Sequence, residues 1–543
     1  MARPGTQINL VDDAPPGGAI LDTGQAFFTG VAEKGSTTSY ETVHTVGEYE
    51  DKLGSRAGGT VLYDSVGAFF AEGGTTAYIA RVGGTGQAVA TIALGSGLKA
   101  DASSPGTWAN GLKVSAEAPA TSLTLVQASV TVDRADVPEG TVAEVLAWVG
   151  DDPARARAAA DAENESDSPR QSLLDGLAEA EAGSPEQQAA GDPVQIVVRD
   201  AANNALERSP TVASQQEAVD WSKGALDVRL SITTPGLLPV AGTTATLAGG
   251  ANAAGAPIDT DLAAALARFD YALGPGQVCA PGFTTSAMHT VVCAHCDATR
   301  RVCLLDLPNN SDPTALAASV TALKGKPGVR FASAWAPWVQ YPGPAGSVVT
   351  IPFSGIEAGL IARSDLQGNP NQPAAGMNGI SRLALSLDKD YTDAQREALN
   401  LAGACMAKVR YGTVRSYGYR TAAGPADTNW TWFGNSRTVM AISHEADAIA
   451  ENYVLRQIDG RGHIFQQLKT DLVGMLMRYY SADALFGATS DEAFSVDVGP
   501  QVNTAATIAA GEVHAVIRVK CSPAAEWVVI DIVKVPIERA IAA

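Results

Sequence analysis

An apolar strand, an amphipathic helix and a second apolar strand follow one another between residues 25 and 82. The run Gln25–Val31 is largely apolar, as in a buried strand, and Thr75–Val82 has the pattern of another strand. Between them, Val66, Phe69 and Phe70 have helical spacing. This β-α-β order predicts that residues 20–95 begin an α/β unit.

The same alternation continues in the second half of the chain. We expect a helix that Thr392 caps and that runs to about Arg410, because Thr392 and Gln395 come close to a capping box. Near the C-terminus, Val513, Ala515, Ile517 and Val519 alternate with polar side chains, which predicts a half-buried strand. The remaining predictions are a helix at Ser286–Arg300, strands at Arg301–Leu307 and Val329–Trp335, a long helix within Gly460–Phe486 and a last strand at Glu526–Val535.

The length of the chain and the uneven distribution of its charge indicate several distinct regions. A length of 543 residues suggests three or four domains. The net charge is −20, and residues 133–192 carry 15 acids against four arginines. We expect that segment to be solvated, since it is rich in charge, alanine and proline. An acidic chain lacks the clustered cations that bind nucleic acid or an anionic membrane.

No sequence motif supports an enzyme. The sequence has no phosphate-binding loop of the Gly-x-x-x-x-Gly-Lys-Ser/Thr type and no Gly-x-Ser-x-Gly elbow, and we expect no cofactor. No apolar run reaches the length of about 18 residues that a membrane helix needs, and the first residues lack the apolar core of a signal peptide. Six cysteines are too few for a disulfide scaffold and indicate synthesis in a reducing cytoplasm.

Two side-chain groups leave alternatives open. One group of cysteines and histidines crowds into 25 residues, and it offers either a zinc site of a hydrolase or small apolar packing beneath a sheet. Packing is favoured because only Cys293 and Cys296 have ligand spacing. The other group is Trp335, Trp338 and Tyr341, which is either a stacking platform for a sugar or packing between layers. The first group consists of Cys279, His289, Cys293, His295, Cys296 and Cys303.

Short segments along most of the chain outside residues 95–245 resemble those of contractile tail sheath proteins, the family of contractile phage tails, R-type pyocins and related injection systems. The most specific resemblance is Ile351–Gly355 followed by Ala358–Asp365, which is similar to the family's Pro-Ser-Gly, Ala-Gly and Ala-Arg-x-Asp stretch. Further matching segments, in the family's order, are Pro4–Ile8, Phe27–Gly35, Val66–Gly74, Ala77–Val82, Ala334–Trp338, Val414–Thr421, Asn435–Arg437, Leu485–Gly487 and Ser522–Val528.

The resemblance implies a multidomain α/β (α+β) fold, with a sheath core made from N- and C-terminal parts, a β-rich outward insertion and extended terminal arms. The implied divisions are an arm at 1–20, the N-terminal core at 21–95 and an acidic outer insertion at 96–245. They continue with a middle α/β domain at 246–378, a tube-facing domain at 379–525 and a C-terminal strand at 526–543.

The resemblance also implies a function. Subunits of this family polymerise helically around an inner tail tube, as stacked hexameric rings, and contract to drive the tube through the host envelope for genome delivery. The implied partners are further copies of the chain, the tube protein, the baseplate and the tail terminator, without nucleic acid contact or membrane insertion. The implied location is the virion, after assembly in the host cytoplasm. The sheath of a bacterial injection system and, more remotely, a carbohydrate-binding virion protein are the alternatives.

Candidate contact residues follow from the same resemblance. Neighbouring subunits are expected to exchange strands, with Ile8, Leu10 and Val11 in the N-terminal arm. On the long helix, Lys469 and Arg478 are candidates for facing the tube. The receiving C-terminal strands would use Val513, Ala515, Ile517, Val519, Val528, Ile530 and Ile532.

Overall fold

A computed structural model describes residues 22–56, 61–119, 191–309, 311–343, 346–366 and 368–526, together with Ile530 and Lys534. It divides into two compact units. Unit one comprises the described residues up to Thr85 and those from Ala253 onwards, and unit two comprises those between Gly86 and Asn252. The predicted arm at 1–20 and the acidic segment 133–192 lie outside the described residues, except for Gly191 and Asp192.

Unit one is built on an eight-stranded sheet with the order β18-β17-β13-β12-β11-β1-β3-β2. The six inner strands are parallel, while β2 and β18 are antiparallel at its two ends. Parallel strands are covered on both faces, which explains why β1, β12 and β13 are buried along their whole length. The strands are β1 Ala26–Gly30, β2 Glu41–Val43, β3 Ala77–Arg81, β11 Gln277–Cys279, β12 Val302–Asp306, β13 Ala332–Ala336, β17 Ala404–Arg410 and β18 Thr413–Ser416.

Helices cover this sheet and bury a continuous apolar core against it. They are α1 Val46–Leu53, α2 Leu62–Glu72, α4 Asp259–Leu266, α5 Ser286–Thr299, α6 Pro313–Thr321, α7 Ser354–Asp365 and α8 Asp393–Ala402. A small three-stranded sheet is formed by β14 Val339–Pro342, β15 Val348–Ile351 and β16 Ser386–Leu387.

The C-terminal part of unit one has an apolar core of its own. There the end of α9 (Phe433–Glu451) packs against α10 (His463–Ser481). A two-stranded antiparallel sheet, β19 Phe494–Asp497 and β20 Val516–Val519, lies against the same core. Two short helices, α11 Ser490–Ala493 and α12 Ala505–Ala509, flank these strands in the sequence.

Unit two is rich in strands, as predicted for the insertion. One sheet has the order β4-β5-β9 and the other β10-β6-β7-β8, and α3 (Gln215–Ser222) packs in the same core. The strands are β4 Thr91–Gly95, β5 Leu98–Ala102, β6 Lys113–Glu117, β7 Gln195–Arg199, β8 Ala205–Arg208, β9 Val228–Ile232 and β10 Thr244–Thr246.

The predicted α/β class is confirmed, and three elements differ from their predictions by several residues. Val329–Phe331, predicted as strand, form a 3₁₀ turn before β13, and the strand predicted from Val513 begins at Val516. The helix that begins after Thr392 ends at Ala402 instead of Arg410, although its capping box with Gln395 is present. Gly403 adopts φ +101° and ends the helix, and the chain continues directly into β17. The apolar run beyond Gly403 therefore belongs to a buried strand, which helical spacing did not distinguish from a longer helix.

Candidate assembly surfaces

The two-stranded C-terminal sheet holds two of the predicted receiving residues, Ile517 and Val519, whereas Val513 and Ala515 precede its strand β20. Strand β20 pairs with β19, with Ile517 opposite Val496 and Val519 opposite Phe494. Ile517 and Val519 are half-buried toward the helical core, whereas Ala515 is exposed. No third strand extends this sheet within the described residues. A ladder of two short strands leaves backbone groups that a further strand can pair with.

A groove of about 420 Å³ lies beside β20. Leu468 and Leu472 of α10 form one part of its wall, and small side chains of α9 form another. The predicted residues Val513, Ala515 and Ile517 line it together. Val513 and Ala515 precede the first residue of β20, so the groove is lined by the segment before the strand as well as by the strand itself. The apolar part of the lining suits the side chains of an extended segment.

The other terminal candidates are placed only in part. Ile8, Leu10, Val11, Val528 and Ile532 lie outside the described residues. Ile530 is described and is 76% exposed.

The two candidates for facing the tube both lie on α10, but their surroundings differ. The side chain of Lys469 is exposed. Arg478 instead forms an ion pair with Glu445 of α9, and the Tyr479 hydroxyl donates to the same carboxylate at 2.9 Å. Arg478 therefore joins α9 to α10, and only Lys469 presents its charge on the surface.

The segment that carries the most specific resemblance forms the crossing of α7 and α2. A Cβ at Gly355 would lie 2.5 Å from the carbonyl oxygen of Ser65, and one at Gly359 would lie 2.6 Å from that of Phe69. Side chains at these two positions are excluded, because Cβ atoms do not approach backbone oxygens so closely. The Gly-x-x-x-Gly spacing is thus a packing requirement of this core.

Buried charges fix the end of the same crossing. The Glu72 carboxylate is fully buried at the end of α2. It accepts hydrogen bonds from the backbone N–H of Arg382 at 2.9 Å and from the Arg363 guanidinium at 3.3 Å. Paired this way, a buried carboxylate is compensated, whereas an unpaired one would be costly.

A second buried ion pair joins two segments of the resemblance. Asp365 at the end of α7 pairs with Arg437 of α9, whose side chain is fully buried. The hydroxyl of Thr23 also donates to Asp365, at 2.5 Å. The Ala-Arg-x-Asp and Asn-Ser-Arg segments are therefore partners inside one subunit.

Two further carboxyl groups lie buried near the start of α7. The Ser354 hydroxyl and backbone N–H donate to Asp306 at 2.6 and 3.0 Å. Burial raises the pKa of Asp306 to about 7, against those hydrogen bonds, and burial raises the pKa of Glu357 to about 8. Both groups favour the protonated form in the folded chain.

The cysteine and histidine group packs in the core. Its four cysteines, Cys279, Cys293, Cys296 and Cys303, are fully buried among apolar side chains. His289 contacts the carbonyl oxygen of Asp306 at 3.0 Å. Burial lowers the pKa of His289 and of His295 to about 4. Among the described residues, no three His, Cys, Asp or Glu side chains are arranged to hold a metal ion.

The aromatic group does not form a platform for sugars. Trp335 is 1% and Tyr341 5% exposed, and Trp335 packs against Phe353. Trp338 is half-buried and donates its indole N–H to the carbonyl oxygen of Leu307 at 3.0 Å. The interpretation as packing between layers is the correct one, because buried rings cannot stack on a ligand.

Solved structures that are similar to this chain include two sheath tail proteins. The sheath tail protein of Desulfitobacterium hafniense is 13% identical, with 91% of this chain and 93% of that chain covered and a TM-score of 0.52. That of Listeria innocua is 12% identical, with 88% and 89% covered and a TM-score of 0.54. The likeness is one of fold and extends over most of both chains.

A sheath of an extracellular contractile injection system shares the fold as well. The PVC sheath complex in its contracted state is 12% identical, with 98% of each chain covered and a TM-score of 0.50. No family model matches the sequence, and no curated protein matches it. Among the described residues, no helix is long and apolar enough to cross a membrane.

Proposed function

We propose that this chain is the structural subunit of a contractile sheath that polymerises around an inner tube and contracts to drive the tube through a cell envelope. The observation that carries the proposal is the fold match over 88% or more of the chain to two sheath tail proteins and to a contracted PVC sheath. We infer a mechanical role without catalysis, since the buried cysteines, histidines and aromatic rings serve the core.

The proposed action follows from heterologous contacts between copies. Head-to-tail contacts that do not close generate an open helical polymer. An extended sheath held in a kinetic trap shortens when the trap is released, and the stored free energy moves the tube. No nucleotide is required, in agreement with the absence of a phosphate-binding loop in the sequence.

The joints between copies are proposed to be exchanged strands. Residues Ile8, Leu10 and Val11 of one copy would pair with the β19–β20 sheet of another and place their apolar side chains beside the groove. The unextended two-stranded sheet and the groove lined by Val513, Ala515 and Ile517 support this arrangement. The C-terminal segment with Val528, Ile530 and Ile532 would complete the exchange.

The proposed orientation puts the C-terminal part of the chain against the tube. Residues 380–543 carry 16 basic and 18 acidic side chains, so they lack the strong repulsion of residues 133–192. Lys469 is the proposed contact to the tube, because its charge is exposed. Arg478 is withdrawn as a surface contact in this proposal, because Glu445 neutralises it.

The particle would be a phage tail, with the baseplate and tail terminator as further partners and the virion as location after assembly in the host cytoplasm. The second candidate is the sheath of a bacterial injection system, which the likeness to the PVC sheath favours. The two share their mechanics. A neighbouring terminase or capsid gene indicates a phage, and a neighbouring effector cluster indicates an injection system.

Electron microscopy of the concentrated, purified protein tests the proposal. We expect hollow cylinders wider than a bare tail tube. A protein that stays monomeric even when tube protein and baseplate are added would contradict a sheath.

Removal of residues 1–18 tests the strand exchange. The shortened protein is expected to remain soluble, with an unchanged melting temperature, and to form no cylinders. Normal cylinders from the shortened protein would disprove the role of the arm while leaving the sheath itself in place.

A further inference from the structure

The hairpin of β17 and β18 presents a cluster of arginines and tyrosines. Lys408 lies opposite Arg415 in the ladder, and Arg410 lies opposite Thr413. The guanidinium of Arg410 lies 5.3 Å from the ring of Tyr411 and 5.9 Å from that of Tyr417, and it donates to the Tyr417 hydroxyl at 2.7 Å. Arg415 lies 5.6 Å from the Tyr411 ring. We call these residues, Lys408, Arg410, Tyr411, Arg415 and Tyr417, the hairpin cluster.

One guanidinium of the hairpin cluster is exposed and has no ion-pair partner, and two of its rings are exposed. Lys408 pairs with Asp393, and Arg415 is buried, where it donates to the Thr413 hydroxyl at 2.9 Å. Arg410 is exposed, and no carboxylate lies within ion-pair distance of it in the part of the chain that the structure describes. Tyr411 is 81% exposed and Tyr417 44%. Residues 404–417 contain no carboxylate at all, in a chain with a net charge of −20. Arginine and tyrosine are the side chains that most often dominate the binding energy of protein interfaces.

At this edge of the sheet, side chains rather than backbone groups are available to a partner. The segment before the hairpin covers β18, because Ile380 bridges Arg415 and the Ser381 N–H donates to the Val414 carbonyl at 3.0 Å. A partner strand therefore cannot pair with β18 there. The Arg410 guanidinium and the rings of Tyr411 and Tyr417 are exposed at this end of the eight-stranded sheet.

The opposite end of the same sheet is acidic. Strand β2 is the edge strand at that end of the sheet, seven strand spacings or about 34 Å from β18. Helix α1 follows it directly and carries Glu48, Glu50 and Asp51 against one lysine. Glu50 and Asp51 are exposed. The lysine, Lys52, donates to the carbonyl oxygen of Thr42 at 2.7 Å.

We propose that the hairpin cluster of one copy docks on the acidic face of α1 in a second copy. This inference rests on the proposed function, because it assumes that copies associate head to tail. The two surfaces lie at opposite ends of one sheet and carry opposite charge, so each copy offers one of each. Such a contact is heterologous and can be repeated from copy to copy. Arg410 supplies planar donors for the carboxylates of Glu50 and Asp51, and Tyr411 covers the pair.

Charge reversal at each end tests the contact in the full-length protein. Analytical ultracentrifugation and electron microscopy would compare wild type with R410E and with E50K/D51K. We expect each variant to associate at least tenfold more weakly than wild type. An equimolar mixture of the two variants should associate again, because each acidic end then meets a basic one. The combined three-residue variant should regain association by itself.

Matched controls separate this contact from general effects. R456E/R461E reverses two exposed arginines of the α9–α10 connector and should associate as wild type does. Circular dichroism melts of every variant establish folding, and R410Q replaces the reversal should the glutamate unfold the hairpin. Raising the salt concentration should weaken the wild-type contact.

The results of this test can be distinguished from those of the test of the sheath function. Variants that associate as strongly as wild type would overturn the docking proposal, and so would a mixture that fails to associate although both variants are folded. If wild type forms no cylinders but the mixture of variants forms mixed oligomers, the docking stands and the sheath function fails. Loss with the arginine variant alone, and none with the α1 variant, would assign the cluster to another partner and refute the pairing with α1.

Discussion

At Gly359, a missing side chain sets the distance between two helices. A Cβ there would lie 2.6 Å from the Phe69 carbonyl oxygen and 2.7 Å from the Glu72 Cβ. The buried Glu72 carboxylate and its hydrogen bonds depend on that approach. The crossing of α2 and α7 therefore depends on the missing side chain of Gly359 and on the buried charge of Glu72.

Gly359→Ala should destabilise the protein by about 1–3 kcal/mol, because the added methyl group forces the helices apart. Gly474→Ala is the matched control in α10, where a Cβ meets nothing within 4 Å. That variant should gain about 0.5–1 kcal/mol from the better helix propensity of alanine. Urea unfolding of both variants measures the difference, and equal effects of the two would contradict the crossing.

The buried carboxyl groups predict a loss of stability as the pH rises from about 4 to about 8. The folded pKa of Glu357 is about 8, above the value of about 4.3 in an unfolded chain. Its contribution is therefore complete below about pH 4.3, decreases as the pH rises, and is lost above about pH 8. The slope is about 1.4 kcal/mol per pH unit for one such group. Asp306 adds a similar effect that ends near pH 7.

Glu357→Gln should flatten this pH dependence, because the amide carries no proton to lose. Unfolding free energies between pH 6 and pH 9 measure it, with Asp51→Asn as a control at an exposed carboxylate. Identical slopes in Glu357→Gln and wild type would show that another group is responsible.

The sequence patterns identified the residues of the helix crossing but did not show which residues they pack against. Gly355 and Gly359 stood out in the resemblance, but their partners in α2 lie about 290 positions earlier in the chain. Helical periodicity identifies the apolar face of a helix and does not identify what packs against it. The pairing of Asp365 with Arg437 is likewise a fact of tertiary structure, since neither side chain has a local partner pattern.

At the scale of single elements, α10 has one face that packs in the core and another that lies on the surface. Leu468, Leu472 and Met475 are buried, as their spacing predicted. Lys469 and Arg478 were equivalent candidates in the sequence, and the structure distinguishes them because only Arg478 reaches a carboxylate on α9.

Substitution of the two basic residues should therefore have different effects. Arg478→Ala leaves Glu445, whose side chain is 14% exposed, without its cation and should cost about 1–2 kcal/mol of stability. Lys469→Ala should change stability by less than about 0.5 kcal/mol and instead weaken binding to the tube protein. Thermal melts and a co-sedimentation assay with tube protein separate the effects. Equal destabilisation by both variants would refute the distinction.

Most elements of unit one could be predicted from the sequence, and their failures have local causes. The β1-α2-β3 unit, α5, β12 and α10 agree with their predictions because their apolar periods are clear. Helix α8 was predicted too long, because the run after Gly403 is apolar in either conformation. The cluster of arginines and tyrosines was missed, because its residues acquire meaning only when the hairpin brings them together.

At the scale of the whole molecule, the insertion leaves and re-enters unit one at a single point. The Ala254 N–H donates to the Thr85 carbonyl at 2.9 Å, so the ends of unit one meet where unit two is inserted. Both ends thus lie within the reach of a short linker.

Replacement of residues 86–252 by a short Gly-Ser linker should leave unit one folded. Its apolar core contains no residue of unit two, so the shortened protein should unfold cooperatively and should still form cylinders. Solubility, a thermal melt and electron microscopy test this. Aggregation of the shortened protein would show that unit one needs the insertion in order to fold.

The strand order of the large sheet also dictates when the protein can fold during translation. Strand β1 lies between β3 and β11, and its partner β11 begins at residue 277. A ribosome adding about 5–20 residues per second needs some ten seconds or more to travel from one strand to the other. Throughout that time, one edge of the apolar β1 has no partner strand, while the intervening segment has already emerged. Nascent chains of this protein are therefore expected to depend on chaperones, and their vulnerable interval is set by the length of the insertion.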